Sequence, residues 1–108
     1  MTAELFPQEV AALLSGPNPP RLLDVREPEE HALAAIPNSI LIPLGQITGR
    51  ASELSAWQQD EIVVYCHHGI RSRHAIHLLT QLGFSNLANL SGGIDAWSTA
   101  VDPKVPRY

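Results

Sequence analysis

The stretch CHHGIRS, Cys66–Ser72, sets the one cysteine of the chain beside two histidines, a glycine and an arginine. It follows the apolar run Ile62–Tyr65 and precedes a helical pattern, so the thiol stands where a strand ends. From Cys66 to Arg71, with Gly69 free to take unusual dihedrals, the backbone can curl so that several N–H groups point inward, next to the positive end of the helix that follows. Such a cup binds anions and favours thiolate over thiol. A free cysteine ionises at about 8.5, and a helix N-terminus with cations nearby lowers this to roughly 3.5–7.5. Cys66 is therefore read as a nucleophile, with His67, His68, Gly69, Ile70, Arg71 and Ser72 as the binding positions around it. The competing reading is a buried strand cysteine with no chemistry. That reading leaves the glycine and arginine behind it without a purpose.

Charge supports a small anionic ligand. The chain carries a formal net charge of -4, which argues against nucleic acid or an anionic membrane as partner, yet His67–His77 holds four histidines, two arginines and no carboxylate. His67 and His68 either tune the nucleophile and contact substrate or are exposed loop side chains. His74 and His77 stand three residues apart, but no further ligand has metal spacing, so neither a metal nor another cofactor is expected. Asp24 and Arg26 end an earlier strand at the same sheet edge and are read as supports of the site, joined by an ion pair.

The elements that must position these residues follow from hydrophobic patterning. Leu22–Val25, Ile40–Ile42, Ile62–Tyr65 and Leu87–Leu90 are short continuous apolar runs, as strands covered on both faces are. Helical patterns lie over Gln8–Leu14 (Val10, Leu13 and Leu14 inward), Pro28–Ala35, Leu44–Leu54, Ser72–Leu82 and Gly93–Ser98. In the fourth, Ala75, Ile76, Leu79 and Leu82 form the inward stripe and Gly83 the left-handed cap. Gly92 and Gly93 make a tight turn into the last helix, with Trp97 in the core. The alternation predicts an α/β fold: a central parallel sheet of four to five strands, flanked by helices on both faces.

Residues 1–108 are read as one domain with a core over about 4–100 and an extended surface tail over 101–108. The start, MTAELFPQEV, has acidic residues and a proline where a signal peptide needs a basic, then apolar, stretch. No apolar run approaches the ~20 residues of a membrane span. A soluble, cytoplasmic protein is expected. A lone cysteine forms no internal disulfide, so Cys66 matters as a thiol.

Cys66–Ser72 resembles the C-x-x-G-x-R-S active-site loop of rhodanese-type sulfurtransferases. LLDVREPEEHALAAIPNSILIPL resembles that family's D-V-R-E segment with its I-P and I-P-L, and NLSGGIDAW resembles its L-x-G-G-x-x-x-W stretch. These matches occur in family order over residues 22–97. The chain departs from many members at Ala35–Ser39, where a histidine before Ile-Pro and a glycine after it are replaced.

The resemblance implies a ping-pong transfer of sulfane sulfur. Cys66 takes the outer sulfur of a donor such as thiosulfate, becomes a persulfide, and passes it to cyanide, a thiol or a protein cysteine. The alternative it allows is a persulfide carrier or interaction module, loaded by a sulfur-relay protein with little thiosulfate turnover. A related cysteine-phosphatase architecture is disfavoured: four residues separate Cys66 from Arg71, where a phosphate cradle uses five.

Overall fold

The short apolar runs become the sheet that their continuity implies. A computed structural model describes residues 3–108; Met1 and Thr2, the first positions of the leading stretch, lie outside the described residues. In chain order the elements are β1 (Ala3–Leu5), α1 (Pro7–Leu14), β2 (Arg21–Asp24), α2 (Pro28–Leu33), β3 (Ile40–Leu41), α3 (Ile47–Arg50), β4 (Ile62–Tyr65), α4 (Ile70–Gln81), β5 (Leu87–Leu90) and α5 (Gly93–Ala100). The five strands form one sheet in the order β1-β5-β4-β2-β3, and every pairing is parallel. No described helix is long and apolar enough to cross a membrane.

Strand alternation divides the interior into two layers. Leu23, Val25, Ile62, Val64, Cys66 and Leu87 face one side and pack with Ile47 of α3 and Ala75, Ile76 and Leu79 of α4. Leu22, Val63, Tyr65, Ala88 and Leu90 face the other, against Val10 of α1 and Ile94 and Trp97 of α5. Both faces are thus closed to water, which is why β4 and β5 are buried along their whole length.

Five local expectations change. The strand β1 is an addition: AEL has one large apolar residue and two exposed positions, too little for a hydrophobic period, and its pairing with β5 makes it a strand. The helix expected over Leu44–Leu54 is broken into a 3-10 turn, the single turn of α3 and a 3-10 stretch over Ala51–Trp57. Gly45, Gly49, Thr48 and Ser52 make it a poor helix former, although Ile47 and Leu54 still reach the core. Leu13 and Leu82 are exposed rather than inward, Leu13 in the last turn of α1 and Leu82 at the C-cap of α4, just past its end. α2 stops at Leu33, because Ala34 is already extended. α4 starts two residues early, with Gly69 at its N-cap in the left-handed region (φ 110). Gly83 does take the left-handed conformation expected of it, φ 99.

The tail keeps to the surface over most of 101–108, as expected, but it is anchored. Val105 is buried, its carbonyl accepts the Ser98 hydroxyl, and the chain returns Tyr108 to the end of the sheet where Cys66 lies. There it meets a buried ion pair. Arg26 and Asp24 are both wholly inaccessible, joined by Nε–Oδ1 at 2.9 Å and Nη2–Oδ2 at 2.7 Å. Asp24→Ala would strand that guanidinium inside the protein and is expected to cost about 3–5 kcal/mol, measured as a lower urea midpoint at unchanged slope.

Candidate active site

β4 delivers Cys66 to the carboxyl edge of the sheet between its two neighbours, β2 and β5. The backbone then turns sharply, and the Gly69 amide comes to 3.0 Å from Sγ. The amides of His68 and Ser72 also favour the ionised sulfur. Because α4 begins at Ile70, Ser72 lies in its first turn, where N–H groups have no helical partner and remain free to face an anion. Burial pushes the Cys66 thiol up, but the Ser72 hydroxyl and the amides of Ser72, Gly69 and His68 outweigh it and hold the thiol below its ordinary value.

Turning those amides inward turns the carbonyls of Cys66 and His67 outward. They are met by α5: Ile94 N–H donates to Cys66 O at 2.9 Å and Asp95 N–H to His67 O at 3.2 Å. The approach is so close that a Cβ at Gly93 would collide with both carbonyl oxygens, and Gly93 itself is left-handed at φ 64. The double glycine that patterning reads as architecture is thus what holds the loop down.

The hydroxyl of Ser72 lies 3.5 Å from Sγ and donates to Asn89 Oδ1 in a short bond. Asn89 in turn donates Nδ2 to both oxygens of Glu4, at 3.0 and 3.1 Å. A chain of polar contacts therefore runs from the sulfur through β5 to the edge strand β1. Nothing in the sequence announces Asn89 or Glu4; one sits in an apolar run and the other in a segment without period.

Arg71 takes an unexpected partner. Its Nη1 and Nη2 fork around the carboxylate of Glu30, at 2.7 and 2.9 Å. Glu30 comes from α2 and carries no motif signal of its own. Arg26 donates to the Tyr108 hydroxyl at 2.6 Å, which donates to Glu30 Oε2 at 2.7 Å. The Tyr108 ring lies flat on His67, centroids 4.0 Å apart. His67 Nε2 is buried without a partner among the described residues, and burial followed by the neighbouring His68 lowers the pKa of the ring. His68 is exposed. Ile70 is 76% exposed and lends the site its backbone rather than its side chain.

Cys66 itself is only 1% exposed. The open cup expected around a reactive thiol is closed in this structure.

The Rhodanese-like domain family matches residues 6–100. The chain belongs to that family. It is 34% identical over 98 residues to a "Sulfurtransferase" of Allochromatium vinosum, covering 91% of this chain and 90% of that one. It is 35% identical over 95 residues to "Adenylyltransferase and sulfurtransferase uba4" of Ogataea parapolymorpha, covering 88% of this chain and 24% of that protein. Among four of the relatives it matches, it spans between 23% and 40% of their length. A crystal structure of a rhodanese-like domain protein from Staphylococcus aureus superposes with a TM-score of 0.84 at 26% identity, over 99% of both chains. The α/β architecture implied by the resemblance is therefore the family's own.

Two outcomes check this geometry. Ser72→Ala removes the hydroxyl that accepts from the Cys66 thiol at 3.5 Å and can turn to donate once the sulfur is ionised, and should raise the midpoint of the pH profile for iodoacetamide alkylation of Cys66 by about one unit. Tyr108→Ala removes a ring stacked on His67 and should lower the stability of the domain by about 0.5–1.5 kcal/mol, read as a lower urea midpoint.

Proposed function

We propose that this rhodanese-like chain is a sulfurtransferase that carries sulfane sulfur as a persulfide on Cys66. One observation carries the reading: at the end of a buried strand the Gly69 N–H donates to Cys66 Sγ at 3.0 Å and the Ser72 hydroxyl lies 3.5 Å from it, and with the amides of Ser72 and His68 they hold the thiol below its ordinary value. They favour thiolate before the reaction and a terminal persulfide sulfur after it. His67, His68, Gly69, Ile70, Arg71 and Ser72 form the substrate loop, and Asp24 and Arg26 hold the floor on which Glu30 and Tyr108 stand.

With thiosulfate as donor, the Cys66 thiolate attacks the outer sulfur. The S–S bond of the donor breaks, sulfite leaves with its electron pair, and the enzyme keeps a persulfide anion. A nucleophilic acceptor, cyanide or a thiolate, then takes the outer sulfur and restores the thiolate. No other cysteine is present to resolve the persulfide as an internal disulfide, so the acceptor comes from outside. Cytoplasmic operation in a reducing compartment fits a free thiol in this role.

A second reading is favoured by the names of the relatives. The match to a sulfurtransferase portion of an adenylyltransferase supports a relay module that receives sulfur from a protein persulfide and hands it to a further partner. Both readings share the Cys66 persulfide.

The deciding experiment is intact mass after incubation with thiosulfate or a small-molecule persulfide. The wild-type chain should gain one sulfur atom, lost on adding cyanide. Cys66→Ser should gain none while its circular dichroism stays native. Absence of any adduct with every donor defeats the proposal.

A further inference from the structure

The arginines near Cys66 are compensated in three dimensions. Arg71 pairs with Glu30, Arg26 with Asp24, and Arg73 with Glu4, each carboxylate arriving from a different element. The pair at the mouth of the cup is Arg71–Glu30. It is more than a surface contact, because the Glu30 carboxylate is 20% exposed and accepts four groups: both ends of the Arg71 fork, the Tyr108 hydroxyl and the Glu27 amide. Arg71 foremost, with the Glu27 amide and Tyr108 assisting, holds the Glu30 carboxyl at about 2, so it is an anion at any working pH. The guanidinium edge that grips an oxyanion in bidentate fashion is already spent on an oxyanion of the protein's own.

We propose that Glu30, roofed by Tyr108, is an internal competitor for Arg71 that selects against oxyanionic sulfur donors and leaves the site to persulfides. The inference rests on the Cys66 persulfide reading and narrows its donor. Thiosulfate is a dianion whose oxygens must sit beside the reacting sulfur. To reach Arg71 they have to displace a carboxylate held by four donors, and any that bind beside it meet like charge where solvent is partly excluded. A persulfide, R–S–SH, carries no oxyanion at its reacting end. The thiolate of Cys66 attacks the outer sulfur, the S–S bond of the donor breaks, R–S⁻ leaves with the electron pair, and Cys66–S–SH remains. That exchange needs the loop amides and asks nothing of Arg71.

Glu30 is a specificity-determining residue in this scheme, and Glu30→Gln isolates its charge. The glutamine keeps a side-chain oxygen for the Glu27 amide, so the N-terminal cap of α2 survives. Steady-state transfer to cyanide is measured with thiosulfate and, separately, with glutathione persulfide. With thiosulfate, Glu30→Gln should raise kcat/KM by at least about tenfold, carried by a lower KM at nearly constant kcat. With glutathione persulfide the change should stay within about twofold. Tyr108→Phe, which keeps the ring on His67 but withdraws one donor from Glu30, should move thiosulfate KM in the same direction by less.

An unchanged or higher thiosulfate KM in Glu30→Gln overturns the inference and makes Glu30 a support that aims Arg71. Equal use of the two donors by the wild-type chain overturns it as well. A wild-type chain that accepts sulfur on Cys66 from neither donor sinks the persulfide reading itself, which the intact mass reports independently of any Glu30 variant.

Discussion

A peptide N–H can serve a sulfur only if its loop gives up ordinary backbone pairing, and the carbonyls turned away must then find donors elsewhere. This constraint organises the end of the sheet. The Cys66–Ser72 loop aims amides at Sγ, and the carbonyls of Cys66 and His67 are answered by the first amides of α5. That answer requires β5 to lie beside β4, since α5 follows β5 directly. It also requires glycine at 93, where the backbone is left-handed and no Cβ fits. Sheet order, the double glycine and the anion cup are one arrangement viewed at three scales.

A second layer compensates charge. Asp24, Arg26, Tyr108, Glu30 and Arg71 form a continuous path of hydrogen bonds from the buried end of β2 to the rim of the cup. The buried Asp24–Arg26 pair gives this path a fixed origin, because neither ion can leave without stranding the other. Tyr108 joins the origin to the rim and also lies on His67, so the tail links the two. The loop amide of Gly69 thus faces the Cys66 sulfur, while the Arg71 guanidinium faces a carboxylate of the protein itself.

Relatives of very different length contain this unit. It makes up nearly all of the Allochromatium protein and about a quarter of the Ogataea one. A site whose working parts are one loop, the turn into α5 and a short network suits such reuse, since the donor and acceptor can change while the amide cup stays the same.

The sequence by itself determined the parallel α/β class, four of the five strands and the place of the Cys66 loop between strand and helix, because these depend on local quantities: continuous apolar runs, glycines at element ends, and a cysteine next to a helix start. It also placed Asp24 and Arg26 at the right sheet edge. What only the tertiary structure decided is everything that depends on residues distant in the chain. Ala3–Leu5 is a strand only because β5 offers it an edge. Asn89 and Glu4 reach Ser72 only through that pairing. The segment His67–His77, with no carboxylate of its own, is neutralised in part by Glu30 and Glu4, which no local pattern assigns to it. The tail closes over the site because Val105 finds a core and Tyr108 a ring to stack on. Periodicity reports which way a side chain faces; it carries no information about which charge waits there, because Coulomb partners are set by distance in space and the chain's order does not constrain it.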